Sequence, residues 1–109
     1  MARIAALVPD LMFGSRIEAT LRAAGHEVEL APSLDAIETG EGGPDVVIVD
    51  LGEIEPTGLG GGGVPVLGFY SHVDVDTRRR AESEGVDLVV PRSRMAREMP
   101  RLVESLLAG

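Results

Sequence analysis

The chain contains no cysteine, lysine, asparagine, glutamine or tryptophan, and aromatic residues fill only 3% of its 109 positions. Without cysteine, disulfides and thiolate metal sites are excluded. Without lysine, any chemistry that needs an amine side chain is excluded too, and all ten basic residues are arginine. Long apolar runs are missing: none approaches the roughly 20 residues needed to cross a bilayer, and the N-terminus lacks a signal-peptide pattern. A cytoplasmic protein with no membrane association is expected. Positive charge is in deficit, and a net charge of −8 argues against nucleic-acid binding, which needs a basic footprint. Scarce aromatics leave a core of Val, Leu, Ile and Ala, drawn from a hydrophobic content of 44%. The length fits one domain, residues 1–109.

What is present is an alternation of short apolar runs with helical periodicities. Arg3 to Val8 is an apolar run stopped by Pro9, a buried strand in this reading. Ile17, Leu21 and Ala24 recur at helical spacing before Gly25, which predicts a first helix from Gly14 to Ala24. Glu27 to Leu30 reads as a short strand. Pro32 and Ser33 open a predicted second helix through Leu34, Ile37 and Glu38 to Gly40, with Ser33 as its N-cap. Asp45 to Val49 is a third strand, and its unbroken Val/Ile character predicts burial on both faces. Pro65 to Phe69 is a fourth. Asp74 or Asp76 caps a helix running to Glu84, and Asp87 to Val90 is a fifth strand. A last helix from Arg94 to Leu107 carries Met95, Met99, Leu102, Val103 and Leu106 as its apolar stripe, with a bend or late start expected at Pro100.

Regular alternation of strand and helix specifies an α/β fold with a parallel sheet between helical layers. Five strands in this length match a flavodoxin-like three-layer sandwich of order 2-1-3-4-5. One crossover breaks the pattern. The stretch from Leu51 to Val64 contains Pro56 and the run Gly60 to Gly63. Glycine costs about 1 kcal/mol per helical residue relative to alanine, so the third helix is predicted to be shortened or replaced by a Gly-rich loop. Thin cover on that face favours either mobility or burial against a second copy, as a homodimer.

Asp50 ends the run Val46-Val47-Ile48-Val49. A carboxylate at the carboxyl end of a buried parallel strand stands where open α/β sheets place their chemistry. Asp10 follows the first strand, and the 2-1-3 order sets it beside Asp50 at the topological switch point; alternatively it caps the first helix near Ser15. Gly58 to Gly63 satisfies G-x-G-x-x-G, but a strand follows instead of a helix, so a flexible connector is the favoured reading over nucleotide binding. Ser71, His72, Val73 and Asp74 fall at the same end of the sheet. Adjacent residues rarely face one another and the sharp nucleophile turn is absent, so Ser71 is read as a cap paired with Asp74, and no enzyme is expected. His72 and His26 fall at opposite ends and form no metal pair. Arg78, Arg79 and Arg80, interspersed with Glu82 and Glu84, read as a solvated face. Arg92, Arg94, Arg97 and Arg101 gather on and before the last helix, able to meet a phosphate or an acidic partner.

Several segments together carry a resemblance: Ala23-Ala24-Gly25-His26-Glu27-Val28, Pro44-Asp45-Val46-Val47-Ile48-Val49-Asp50-Leu51, Val64-Pro65-Val66-Leu67 and Glu84-Gly85-Val86-Asp87. Over its whole length the chain resembles the receiver domain of bacterial response regulators. The resemblance implies that Asp50 stands at the phosphoacceptor position, and that Asp50 and an acidic pair after the first strand would hold Mg²⁺. It also implies a protein-docking face built from the fourth helix (74–84), the fifth strand and the last helix. The chain departs from the pattern at several points. The acid pair falls on Val8-Pro9 or Pro9-Asp10, leaving at most Asp10. The small hydroxyl residue falls on Tyr70, with Ser71 as a stand-in, and the lysine after the fifth strand is replaced at Pro91-Arg92. A guanidinium is a broad fork that does not replace a compact ammonium freely.

The leading expectation is therefore a stand-alone, receiver-like regulatory module that acts by protein–protein interaction, its aspartyl-phosphorylation site degenerate or lost. The alternative is a competent phosphoacceptor using Asp50 and Mg²⁺, with Asp10, Ser71 and Arg92 in support. A third class is a small-ligand-binding protein or enzyme at the carboxyl edge of the sheet, whose ligand the sequence does not name.

Overall fold

Apolar residues two apart along a strand fall on one face of a sheet, and that alternation organises the whole molecule. A computed structural model describes residues 2–33, 37, 43–55, 58, 63–71 and 75–108. Strands β1 (Arg3–Leu7), β2 (Glu27–Leu30), β3 (Val46–Asp50), β4 (Val66–Tyr70) and β5 (Leu88–Pro91) form one parallel sheet in the order β2-β1-β3-β4-β5. Helices α1 (Leu11–Ala23), α2 (Val75–Ser83) and α3 (Arg92–Ala108) connect or follow them. This is the flavodoxin-like architecture that the alternation predicts. Among the described residues, no helix is long and apolar enough to cross a membrane.

On one face Ile4, Ala6, Val46, Ile48, Leu67, Phe69 and Val90 pack against Phe13, Ile17 and Leu21 of α1 and Met95, Met99, Leu102 and Val103 of α3. On the other, Leu7, Val47, Val49, Val66, Tyr70 and Val89 meet Leu51, Ala81 and Val86. The helix α2 buries only Ala81 on that side. Leu51 fills the space over Gly68 instead: a Cβ at position 68 would lie 2.7 Å from Leu51 Cδ1. The turn after β3 is pinned by the Ile54 N–H donating to Asp50 O, and the Arg80 guanidinium lies 2.6 Å from Glu55.

Two helices begin earlier than their periodicity predicts. The first starts at Leu11, not Gly14, because the Asp10 carboxylate caps it by accepting the Phe13 N–H at 3.1 Å. Gly14 therefore lies inside the helix. The last runs unbroken from Arg92 through Pro100, so the late start expected there does not occur; four buried residues of its apolar stripe hold it to the sheet. Strands three to five each begin one residue later than predicted. The predicted helix over 33–40 and the Ser71–Asp74 cap fall largely outside the described residues, as do Gly60, Gly61, Gly62 and His72. Two described glycines of the crossover, Gly58 and Gly63, take positive φ, which suits glycine and excludes regular right-handed helix at those points.

Candidate functional site

Asp50 has the same parity as Val46 and Ile48, so its side chain leaves β3 on the face covered by α1 and α3. The two residues that begin those helices arrive at the same rim: Asp10 as the cap of α1, and Arg92 as the first residue of α3. A cavity of about 510 Å³ results, lined by Pro9, Asp10, Asp50, Gly52, Glu53, Ser71 and Arg92. The four residues singled out from sequence thus converge on one cleft. Tyr70 does not join them. It packs in the opposite core with Leu7 and Val49, which leaves Ser71 as the hydroxyl at the cavity.

Within the cleft the charges are unequally placed. The Arg92 guanidinium donates from Nη2 to Asp10 Oδ2 at 2.8 Å and lies 4.1 Å above the Phe13 ring centroid. That hydrogen bond, with the Phe13 N–H, holds the Asp10 carboxyl below its ordinary range. Asp50 is 3% exposed. Burial pushes its carboxyl above the ordinary range, against the Gly52 N–H, which donates to Asp50 Oδ1 at 2.9 Å, and against the field of Arg92. The opposed shifts follow from position: Asp10 stands at the mouth beside a cation, and Asp50 stands at the floor.

Three lining or supporting residues escape the sequence reading. Gly52 approaches so closely that a Cβ there would sit 3.2 Å from Asp50 Oδ1, and the Asp-x-Gly spacing was the available signal. Glu53 reaches the cavity because the turn after β3 folds back over the sheet. Phe13 becomes visible only once Asp10 is taken as the helix cap, which puts Phe13 one turn away.

Mg²⁺ demands oxygen ligands in near-ideal octahedral geometry. The donors here do not fit that demand. Asp10 has Oδ1 occupied by the Phe13 N–H and Oδ2 by Arg92, and the preceding position is Pro9. Among the described residues, no group of three His, Cys, Asp or Glu side chains is placed to share a metal ion.

No protein-family model matches the sequence, and neither does any curated protein. Solved structures do match. A response regulator receiver protein from Burkholderia phymatum is 25% identical with a TM-score of 0.79, over 99% of this chain and 96% of that one. The fold is that of a receiver domain. The HemR receiver domain of Leptospira biflexa, 18% identical, gives a TM-score of 0.78 over 100% of this chain and 96% of its own. The chemotaxis protein CheY4 of Vibrio cholerae, 17% identical, gives 0.78 over 98% and 99%. The receiver fold therefore spans the chain from end to end, and these neighbours are signalling domains.

Proposed function

We propose that this chain is a receiver-like regulatory module that works by protein–protein contact in the cytoplasm, with a degenerate aspartyl-phosphorylation site at Asp50. The receiver fold supports a signalling role. One observation carries the proposed loss of chemistry: Arg92, the one cationic side chain among the described residues of the cleft, gives its hydrogen bond to Asp10 and not to Asp50. Asp50 is left buried, with its protonated form favoured by desolvation. A carboxyl group must be ionised to attack phosphorus, so both features work against phosphoryl acceptance.

The partner surface in this proposal is the face of α2, β5 and α3. Arg94, Arg97 and Arg101 surround the one carboxylate of Glu98, at 3.3, 3.7 and 4.0 Å. One acid against three guanidinium groups leaves net positive charge on an otherwise acidic chain, which suits an acidic protein surface. The α2 side of the sheet is the proposed self-association face.

The test is intact mass after incubation with Mg²⁺ and acetyl phosphate. An unchanged mass is expected. A gain of one phosphoryl group that Asp50→Asn abolishes overturns the reading and favours the phosphoacceptor alternative, for which the convergence of Asp10, Asp50, Ser71 and Arg92 speaks.

A further inference from the structure

We infer that the Arg92 guanidinium is the resident cation of this cleft, standing in the role of a divalent metal and closing the acidic site to one. This concerns cation occupancy and does not depend on whether Asp50 accepts a phosphoryl group. Three independent features hold the guanidinium where it is. Asp10 Oδ2 accepts from it at 2.8 Å, the Phe13 ring lies beneath it at 4.1 Å, and its backbone is fixed at the start of a helix whose apolar stripe is buried. The position is otherwise unfavourable for a cation. Helix N-termini carry partial positive charge, and the first turn of α3 contains no acid of its own. Compensation comes from across the cleft, from the Asp10 carboxylate that accepts its hydrogen bond.

Charge accounting leads to the same place. Among the described residues, three carboxyl groups line one cavity with a single basic side chain. A divalent ion entering there has to displace Arg92 from Asp10 and overcome its repulsion. If Arg92 is removed, Asp10 Oδ2 is released into a cleft that still holds the other two acids. The site should then gain affinity for a hard divalent cation.

Titration of the full chain with MgCl₂, and with MnCl₂ as a paramagnetic probe, tests this at matched ionic strength. The unsubstituted protein is expected to show no saturable binding at millimolar metal. Arg92→Gln should bind more tightly by up to about fivefold, the most that releasing an ion pair of this exposure is worth. The gain should vanish in Arg92→Gln combined with Asp10→Asn. Saturable binding by the unsubstituted protein overturns the inference whether or not any variant folds. So does a folded Arg92→Gln protein with no gain, or a gain that survives Asp10→Asn. If Arg92→Gln is unfolded, Phe13→Leu supplies the second variant, and a smaller gain of the same sign is required. A phosphoryl adduct that also forms when Mg²⁺ is withheld overturns the proposed function alone; metal uptake by the unsubstituted protein overturns this inference alone.

Discussion

The two faces of the sheet are built by different means. One is roofed by α1 and α3, which bring Phe13, Ile17, Leu21, Met95, Met99, Leu102 and Val103 into a single core. Among the described residues, the other is met by α2, which buries Ala81, by Leu51 and Ile54 from the turn after β3, and by Ile37. The difference teaches where rigidity is needed. Asp10 and Arg92 are held by the well-roofed side, whereas the loop that follows Asp50 belongs to the lightly roofed side. The cleft therefore joins a wall built on two helices, the firm side of the comparison, to one built on a turn.

The sharpest way to break the comparison is to empty each side in turn. Phe69→Ala removes a fully buried ring that packs 5.1 Å from Phe13 on the firm side. A loss of about 3–5 kcal/mol is expected by urea unfolding. Gly68→Ala tests the other side by overfilling it, since the new methyl would meet Leu51 at 2.7 Å and Val86 at 3.3 Å. About 1–3 kcal/mol should be lost, less if Leu51 moves away. Equal costs for the two substitutions would show that the faces are equally rigid.

Smaller still is the effect of untying the turn. Glu55→Ala breaks an exposed ion pair with Arg80 and should cost at most about 1 kcal/mol. Its clearer signature is faster amide exchange over Leu51 to Glu55, with little change in α1. The smallest expected effect is one of sign. Asp50 has a folded pKa raised above its ordinary 3.8, so its contribution to stability is present below that value and is lost as pH rises through the folded pKa. Asp50→Asn should therefore stabilise the protein near neutral pH, and the gain should fade on acidification. Asp10 carries the opposite shift from 3.8. Its contribution is present above that value and is lost as pH falls through its lowered folded pKa, so Asp10→Asn should destabilise at neutral pH. Thermal unfolding midpoints across pH 3–8 distinguish the pair.

Much of this was legible in residue order. Strand order, the convergence of Asp10, Asp50, Ser71 and Arg92, and a shortened third helix all follow from apolar periodicity and from the glycines after Leu51. Those features rest on local chemistry repeated along the chain. The helix starts were less legible. A single side chain, Asp10, carried the start of α1 back from Gly14 to Leu11, and tertiary burial of Met95 and Met99 carried α3 through Pro100. The pairing of Arg92 with Asp10 over Phe13 was invisible, because it joins residues far apart in sequence and turns on which of two acids a guanidinium reaches first.

The hollow above Gly68 sets a condition for protein engineering. A third helix transplanted from a CheY-type relative would displace the turn that now supplies the Leu51 side chain. Such a chimera would have to present its own branched aliphatic group to that socket, or accept a void in the middle of the sheet. One leucine, not the length of the graft, would decide whether the hybrid assembles.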